Sequence, residues 1–136
     1  MSMKQQKETG HKPPKILIAD DEAFMRLLIK QALEDLKNQN VEILTAVNGE
    51  EALEIIRTER PALVFLDVMM PKVDGYEVCR EVKRVLGMED VFIVLLTARG
   101  QKDDRENGGR MGADIFMTKP FDPDEIISVV EKILGT

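Results

Sequence analysis

Three aspartates stand where two apolar stretches of the sequence end. Asp20 and Asp21 follow the apolar run ILIA, and Asp67 follows the run LVFL. Two further apolar runs end close to a hydroxyl at Thr97 and an ammonium at Lys119. Carboxylates beside an ammonium group suit a divalent cation and a phosphoryl group, because positive charge must balance the acids and the phosphoryl oxygens. These five residues are therefore the candidate chemistry of the chain.

The apolar runs also predict the elements that hold these residues. The runs are continuous, which is typical of strands buried on both faces in a parallel sheet. The predicted strands cover residues 16–19, 41–47, 62–66, 91–96 and 115–118. Because helical segments alternate with them, we expect an α/β fold, a three-layer αβα sandwich around a five-stranded parallel sheet. The expected strand order is 2-1-3-4-5, the flavodoxin-like arrangement.

Five amphipathic helices are predicted around this sheet. The first covers residues 22–37, and its apolar face is expected to consist of Phe24, Leu27, Leu28, Ala32 and Leu36. The second runs from an N-cap at Asn48 to about residue 59, and Asp122 caps the last helix.

The third helix is predicted over residues 75–86 and is ended by Gly87. Its expected buried residues are Val78, Val82 and Val85. The fourth is expected near residues 102–111, which include Gly108 and Gly109. Each glycine costs about 1 kcal/mol relative to alanine inside a helix, so we predict that the fourth helix is short or frayed.

The predicted sheet brings the candidate residues together, because ligands bind where the strand order reverses, here between strands 1 and 3. Three carboxylates there repel one another by roughly 4 kcal/mol per pair at about 4 Å, which a hard cation such as Mg²⁺ offsets. We expect Asp20 and Asp21 to hold metal and Asp67 to attack phosphorus as a nucleophile. Lys119 and Thr97 are expected to bind the phosphoryl oxygens. Any one of these residues could instead be a helix cap or part of a turn; their joint placement favours the site.

The composition bounds the class of protein. With 136 residues the chain suits one domain, which we place at residues 15–136, after a polar tail over residues 1–14 that is expected to be disordered. The net charge of −6 argues against nucleic-acid binding by electrostatics alone. No apolar run reaches the roughly 20 residues of a membrane helix and no signal peptide is visible, so we expect a cytoplasmic protein.

The chain has one histidine and one cysteine. His11 lies in the polar tail, so a Ser-His-Asp or Cys-His arrangement has no ordered histidine to use, and zinc lacks its commonest ligand. Cys79 alone excludes an internal disulfide. Its place on the apolar face of the third helix predicts a small buried hydrophobe.

Four pieces of the sequence make a specific set: ILIADDEAFMR, LVFLDVMMPKVDGYEV, VLLTARG and GADIFMTKPF. The set resembles the receiver domain of two-component response regulators, of the single-domain, chemotaxis-regulator-like kind, over about residues 15–134. The resemblance implies that Asp67 is the phosphoacceptor. It also implies that Asp20, Asp21 and Asp67 hold Mg²⁺ together with the backbone carbonyl of Met69.

The resemblance assigns roles to the remaining site residues as well. Thr97 and Lys119 match the residues that bind the phosphoryl group, and Phe116 matches the aromatic whose rotamer follows Thr97. The peptide bond between Lys119 and Pro120 is expected to be cis. Such a protein is not an enzyme in the usual sense, since it catalyses only its own phosphorylation and dephosphorylation.

Partners follow from the same resemblance. A sensor histidine kinase or a histidine phosphotransfer protein supplies the phosphate, and the face around the fourth helix, the fifth strand and the fifth helix passes the change to an unidentified target. We expect no DNA-binding domain in this chain, no membrane association, and a monomer or a phosphorylation-dependent dimer.

Two side chains that are expected to flank the phosphate, Met69 and Arg99, bear on how long it persists. Met69 cannot align an attacking water, and Arg99 could shield the phosphate, so we predict that the phosphoryl group is lost slowly. Phe116 lacks the hydroxyl with which a tyrosine at that position would make a hydrogen bond.

Several alternatives are open at this point. The first hypothesis is a stand-alone signalling module, expected because the chain ends with the last helix, and the second is a receiver fragment of a longer regulator. A nucleotide or flavin oxidoreductase on the same fold is disfavoured, because no glycine-rich loop follows Asp20. A haloacid-dehalogenase-like phosphatase would place a second aspartate where this chain has Met69. A degenerate receiver is disfavoured because no key residue is missing.

Overall fold

The continuous apolar runs form a parallel sheet of five strands. The computed structural model describes residues 13–36, 40–98 and 112–135. Its strands are β1 (Lys15–Ala19), β2 (Glu42–Ala46), β3 (Leu63–Asp67), β4 (Phe92–Ala98) and β5 (Ile115–Lys119). They pair in parallel in the order β2-β1-β3-β4-β5. The predicted fold class and strand order are therefore confirmed.

Four helices pack around this sheet within the described ranges. They are α1 (Ala23–Glu34), α2 (Gly49–Glu59), α3 (Gly75–Arg80) and α4 (Pro123–Leu134). The last of them, α4, is the helix predicted as the fifth. A π-helical segment, Glu81–Val85, continues α3. The predicted helix near 102–111, Arg99, His11 and residues 1–12 of the predicted tail lie outside the described residues.

Both faces of the sheet are buried, as the unbroken apolar runs predict. On one face, alternate strand residues such as Leu17 and Leu66 pack against α2 and α3. On the other face, residues such as Ile18 and Phe65 pack against α1 and α4. All four side chains are fully buried, and each contributes about 1.5–3 kcal/mol of transfer free energy. The sheet is therefore a rigid platform for the residues at its edge.

Local signals set the starts of two helices. The side chain of Asn48 accepts a hydrogen bond from the backbone N–H of Glu51 at 2.8 Å, which caps α2. At the start of α4, Asp122 and Glu125 form a capping box. Both predicted caps are confirmed, and each satisfies donors that a helix leaves unpaired at its first turn.

The predicted apolar face of α1 is partly wrong. Phe24 is 71% exposed and Leu27 is 52% exposed, whereas the buried residues of the helix are Ile29, Ala32 and Leu33. At 100° per residue, the three buried residues are centred near Ile29, and Phe24 lies roughly 140° and Leu27 roughly 160° away from it. Both side chains therefore point away from the sheet.

The predicted buried face of the third helix is also partly wrong. Val78 and Val82 are fully buried, but Val85 is 56% exposed. The π-helical hydrogen bond from Leu86 N to Glu81 O spans one residue more than an α-helical turn. This extra residue rotates Val85 out of the apolar stripe.

Two further expectations concern the cysteine and the membrane. Cys79 is fully buried on α3 and forms no disulfide, and burial raises the pKa of its thiol to about 12. The prediction of a small buried hydrophobe is confirmed. Among the described helices, none combines the length and the apolar character needed to cross a membrane.

Candidate functional site

The carboxyl edge of the sheet gathers three carboxylates. Asp20 directly follows β1, Asp21 comes next, and Asp67 is the last residue of β3. One carboxylate oxygen from each lies within 4.8 Å of the other two. Asp20 is fully buried and Asp67 is only 4% exposed, while Asp21 is exposed. The predicted convergence of these three residues is observed.

Lys119 places an ammonium group among these acids. It is the last residue of β5 and its peptide bond to Pro120 is cis, as expected. The Nζ atom lies 3.1 Å from Asp20 Oδ2 and 3.1 Å from Asp67 Oδ1. Burial lowers the pKa of Lys119, but its hydrogen bonds and charge interactions with Asp67 and Asp20 outweigh that effect and raise the pKa overall. The ammonium therefore stays charged and balances part of the buried negative charge.

The negative charge of Asp67 is only partly compensated by its neighbours. Burial and the charge of Asp20 raise the pKa of Asp67 from 3.8 to about 6, although Lys119 and the backbone N–H of Met69 oppose the rise. That N–H lies 3.4 Å from Asp67 Oδ1. A bound cation would relieve this excess of negative charge. The three carboxylates form a donor set that hard divalent cations prefer, so the residues fit such an ion.

Each polar atom of Asp20 has a hydrogen-bond partner in β2, at the start of α1 or in β5. Its N–H donates to Ala46 O of β2 at 3.1 Å. Its Oδ1 accepts from the backbone N–H of Glu22 at 2.9 Å, while its carbonyl accepts from Arg26 Nη1 at 2.7 Å. Sequence reasoning missed Arg26, because only the packing of α1 beside the end of β1 brings the two residues together.

An open cleft of about 370 Å³ lies over the cluster. Its lining consists of Asp21, Glu22, Asp67, Met69, Ala98 and Lys119. Met69 is 63% exposed, and Glu22 was not predicted as a site residue. The Oε1 atom of Glu22 lies 3.9 Å from Lys119 Nζ. The space is sufficient for a hydrated cation and a phosphoryl group.

Thr97 and Phe116 lie on the neighbouring strands β4 and β5. Thr97 is 4% exposed near the end of β4, and Phe116 of β5 pairs with Leu95, two residues before Thr97. Because successive strand residues alternate between faces, Thr97 and Phe116 face the same side of the sheet as Leu95. Phe116 is partly buried there and packs against the core beside α2 and α3. This arrangement brings the two expected switch residues close to each other.

Comparisons with known proteins agree with this geometry. The family model described as the response regulator receiver domain matches residues 16–131. "Probable transcriptional regulator ycf27" of Porphyra purpurea is 47% identical over 120 residues, which cover 88% of this chain and 47% of that protein. The chain thus spans about half the length of the curated relatives it matches.

Solved structures show the same similarity. The Francisella response regulator 1452 receiver domain has a TM-score of 0.79 and 30% identity, covering 90% of this chain and 97% of that one. The Vibrio cholerae chemotaxis protein CheY4 has a TM-score of 0.78 and 26% identity, covering 90% and 99%.

Proposed function

The chain belongs to the receiver-domain family of two-component response regulators, and on this premise we propose that Asp67 is its phosphoacceptor. The observation that carries the proposal is the contact of Lys119 with two buried carboxylates, Asp20 and Asp67, both at 3.1 Å. Of these two, Asp67 lines the open cleft. It is therefore the carboxylate that an incoming phosphorus atom can reach.

The same proposal includes a Mg²⁺ ion. Asp20, Asp21 and Asp67 would hold it through their carboxylates, and Met69 would add its backbone carbonyl. Bound there, the ion supplies positive charge to the phosphoryl oxygens. Three close carboxylates with a raised pKa at Asp67 support this assignment.

Three side chains, Asp67, Lys119 and Thr97, have separate roles in the phosphoryl transfer. An Asp67 oxygen attacks the phosphorus of a phosphohistidine, the P–N bond breaks, and the imidazole leaves with the electron pair and takes up a proton from solvent. An acyl phosphate remains on Asp67. Lys119 neutralises charge on the phosphoryl oxygens, and Thr97 donates a hydrogen bond to one of them. The chain thus promotes its own phosphorylation and later dephosphorylation, in keeping with a signalling family rather than a classical enzyme.

Partners and output complete the proposal. The donor is a sensor histidine kinase or a histidine phosphotransfer protein in the cytoplasm. The output runs through Thr97 and Phe116 to the face formed by β5 and α4, where a target protein or a second copy of the chain binds. Thr97 and Phe116 lie on neighbouring strands and face the same side of the sheet, which supports this route.

Intact mass after treatment with a small phosphodonor and Mg²⁺ tests the phosphoacceptor. The native chain should gain one phosphoryl group and Asp67→Asn should gain none. Asp90→Asn is a matched control, because Asp90 is 69% exposed in an ion pair with Arg60, and it should be modified like the native chain. A gain of a phosphoryl group by the Asp67→Asn variant, or no gain by the native chain, would refute the assignment.

A further inference from the structure

The loop after Asp67 closes tightly on the backbone of Asp67 itself. Residues 68–74 leave β3 and return at Gly75, whose N–H donates to Val68 O at 2.9 Å. A Cβ atom on Gly75 would lie 2.3 Å from Asp67 O, which is far inside van der Waals contact. The absence of a side chain at Gly75 therefore lets the loop end where it does.

A second glycine, Gly49, meets the other side of this loop. Gly49 is the first residue of α2 and is buried. A Cβ atom there would lie 1.6 Å from Val73 O and 2.5 Å from Val73 C. The Gly49 N–H also donates to Pro71 O at 3.4 Å. Because Gly49 has no left-handed backbone conformation, glycine is needed here for space and not for its dihedral freedom.

The loop runs along a strained path between the two glycines. Lys72 has a φ of 72°, in the left-handed region that side chains other than glycine rarely adopt. Such strain persists only where surrounding contacts enforce it. The contacts of Gly49 with Pro71 and Val73 flank Lys72 on both sides.

The start of α2 is itself tied to the acid cluster. Asn48 Oδ1 caps the helix, and Val47 N donates to Glu51 Oε1 at 2.9 Å. Directly before this junction, Ala46 O accepts the N–H of Asp20. The β2–α2 junction therefore contacts both the end of β1 and the loop that carries Met69.

We propose that Gly49 is a positioning residue for the phosphorylation site. By admitting residues 71–73 against α2, it sets where the Met69 carbonyl and Asp67 stand relative to Asp20. The inference rests on the proposed function, because it takes the Met69 carbonyl as a metal ligand. A glycine that served packing alone would affect stability without any specific effect on metal binding.

The variant Gly49→Ala separates these two roles. We expect its Mg²⁺ affinity, measured by calorimetric titration at a temperature where the protein is folded, to fall about tenfold or more, because small misplacements of ligands are costly. Ile56→Val is the matched control: Ile56 is fully buried in the same helix, about two turns from Gly49. It should lose stability and keep the native Mg²⁺ affinity. Equal affinities in Gly49→Ala and Ile56→Val would overturn the inference.

Failure of the inference and of the proposed function are distinguishable. If the native chain binds no Mg²⁺, the proposed function fails; if it binds Mg²⁺ and Gly49→Ala binds equally well, only the inference fails. If Gly49→Ala does not fold, amide exchange in the native chain replaces it. Saturating Mg²⁺ should slow exchange of the Gly49 amide several-fold more than that of Arg60, which donates to Ile56 O at the far end of α2. Equal slowing at the two amides, or no slowing at Gly49, would overturn the inference.

Discussion

Asp67 is buried beside the like charge of Asp20, and these two features should have a measurable effect on the stability of the domain. Because its pKa rises from 3.8 to about 6, the folded state holds the proton more tightly than the unfolded chain. The metal-free domain should therefore lose stability as the pH rises from about 4 to about 6. Asp67→Asn removes this loss and should be more stable than the native chain by about 1–3 kcal/mol near pH 7.5.

Urea unfolding in a chelator, at about pH 4.5 and about pH 7.5, measures this difference. The advantage of Asp67→Asn should shrink at the lower pH, where the native carboxyl is already protonated. A native chain that is as stable as the variant near pH 7.5 would contradict the raised pKa.

Under the proposed function, Met69 should affect the lifetime of the phosphate on Asp67. Its thioether stands at the rim of the cleft, 63% exposed, and cannot align a water. Met69→Asn introduces a group that can, and we expect hydrolysis of the phosphorylated chain to accelerate on the order of tenfold. Decay of the phosphoryl mass with time measures it. Leu86→Asn, at an exposed apolar residue after α3, is the control; an unchanged lifetime in Met69→Asn would count against the prediction.

Among the elements, an ion pair connects the π-helical segment after α3 to Asp114, the residue before β5. Lys83 Nζ lies 3.0 Å from Asp114 Oδ2, and the Lys83 side chain is only 9% exposed. The same Asp114 oxygen accepts the N–H of Ile93 at 2.8 Å. One carboxylate thus satisfies a largely buried ammonium and a backbone donor of β4.

Removing the Asp114 carboxylate should lower the stability of the domain. We expect Asp114→Ala to lower the free energy of unfolding by about 2 kcal/mol, because it leaves two donors without this partner. Asp90→Ala removes the exposed ion pair with Arg60 and should cost less than about 1 kcal/mol. Equal losses in the two variants, measured by urea unfolding, would show that the Asp114 contacts contribute little.

At the level of the whole molecule, the proposed Mg²⁺ binding should be linked to folding. A ligand that binds only the folded domain stabilises it by roughly 2.7 kcal/mol at one hundred times its Kd, so Mg²⁺ should raise the melting temperature of the native chain. In Asp21→Asn this rise should be largely lost, while the metal-free melting temperature changes little because Asp21 is exposed. Scanning calorimetry with and without Mg²⁺ measures both. An undiminished rise in the variant would remove Asp21 from the metal site.

Much of the fold follows from neighbouring residues and could be predicted. Continuous apolar runs mark strands buried on both faces, and the Asn48 and Asp122 caps depend on backbone groups within three residues. Once the strand order is given, the topology alone brings Asp20, Asp67 and Lys119 to one edge. The exposed positions of Phe24 and Val85 were not predicted correctly, because the docking angle of α1 and a π-turn after α3 decide which way those side chains point.

The sequence by itself determined which residue types end the strands, and so the chemistry this protein can offer: three acids, a hydroxyl and an ammonium. Only the tertiary structure decided how that chemistry is held. The turn from β1 into α1 brings Arg26 to Asp20 O, and the contact of Gly49 with Val73 joins two segments that are far apart in the sequence. Steric fit between distant backbone segments leaves no periodic signal in a sequence, because it depends on where whole elements pack.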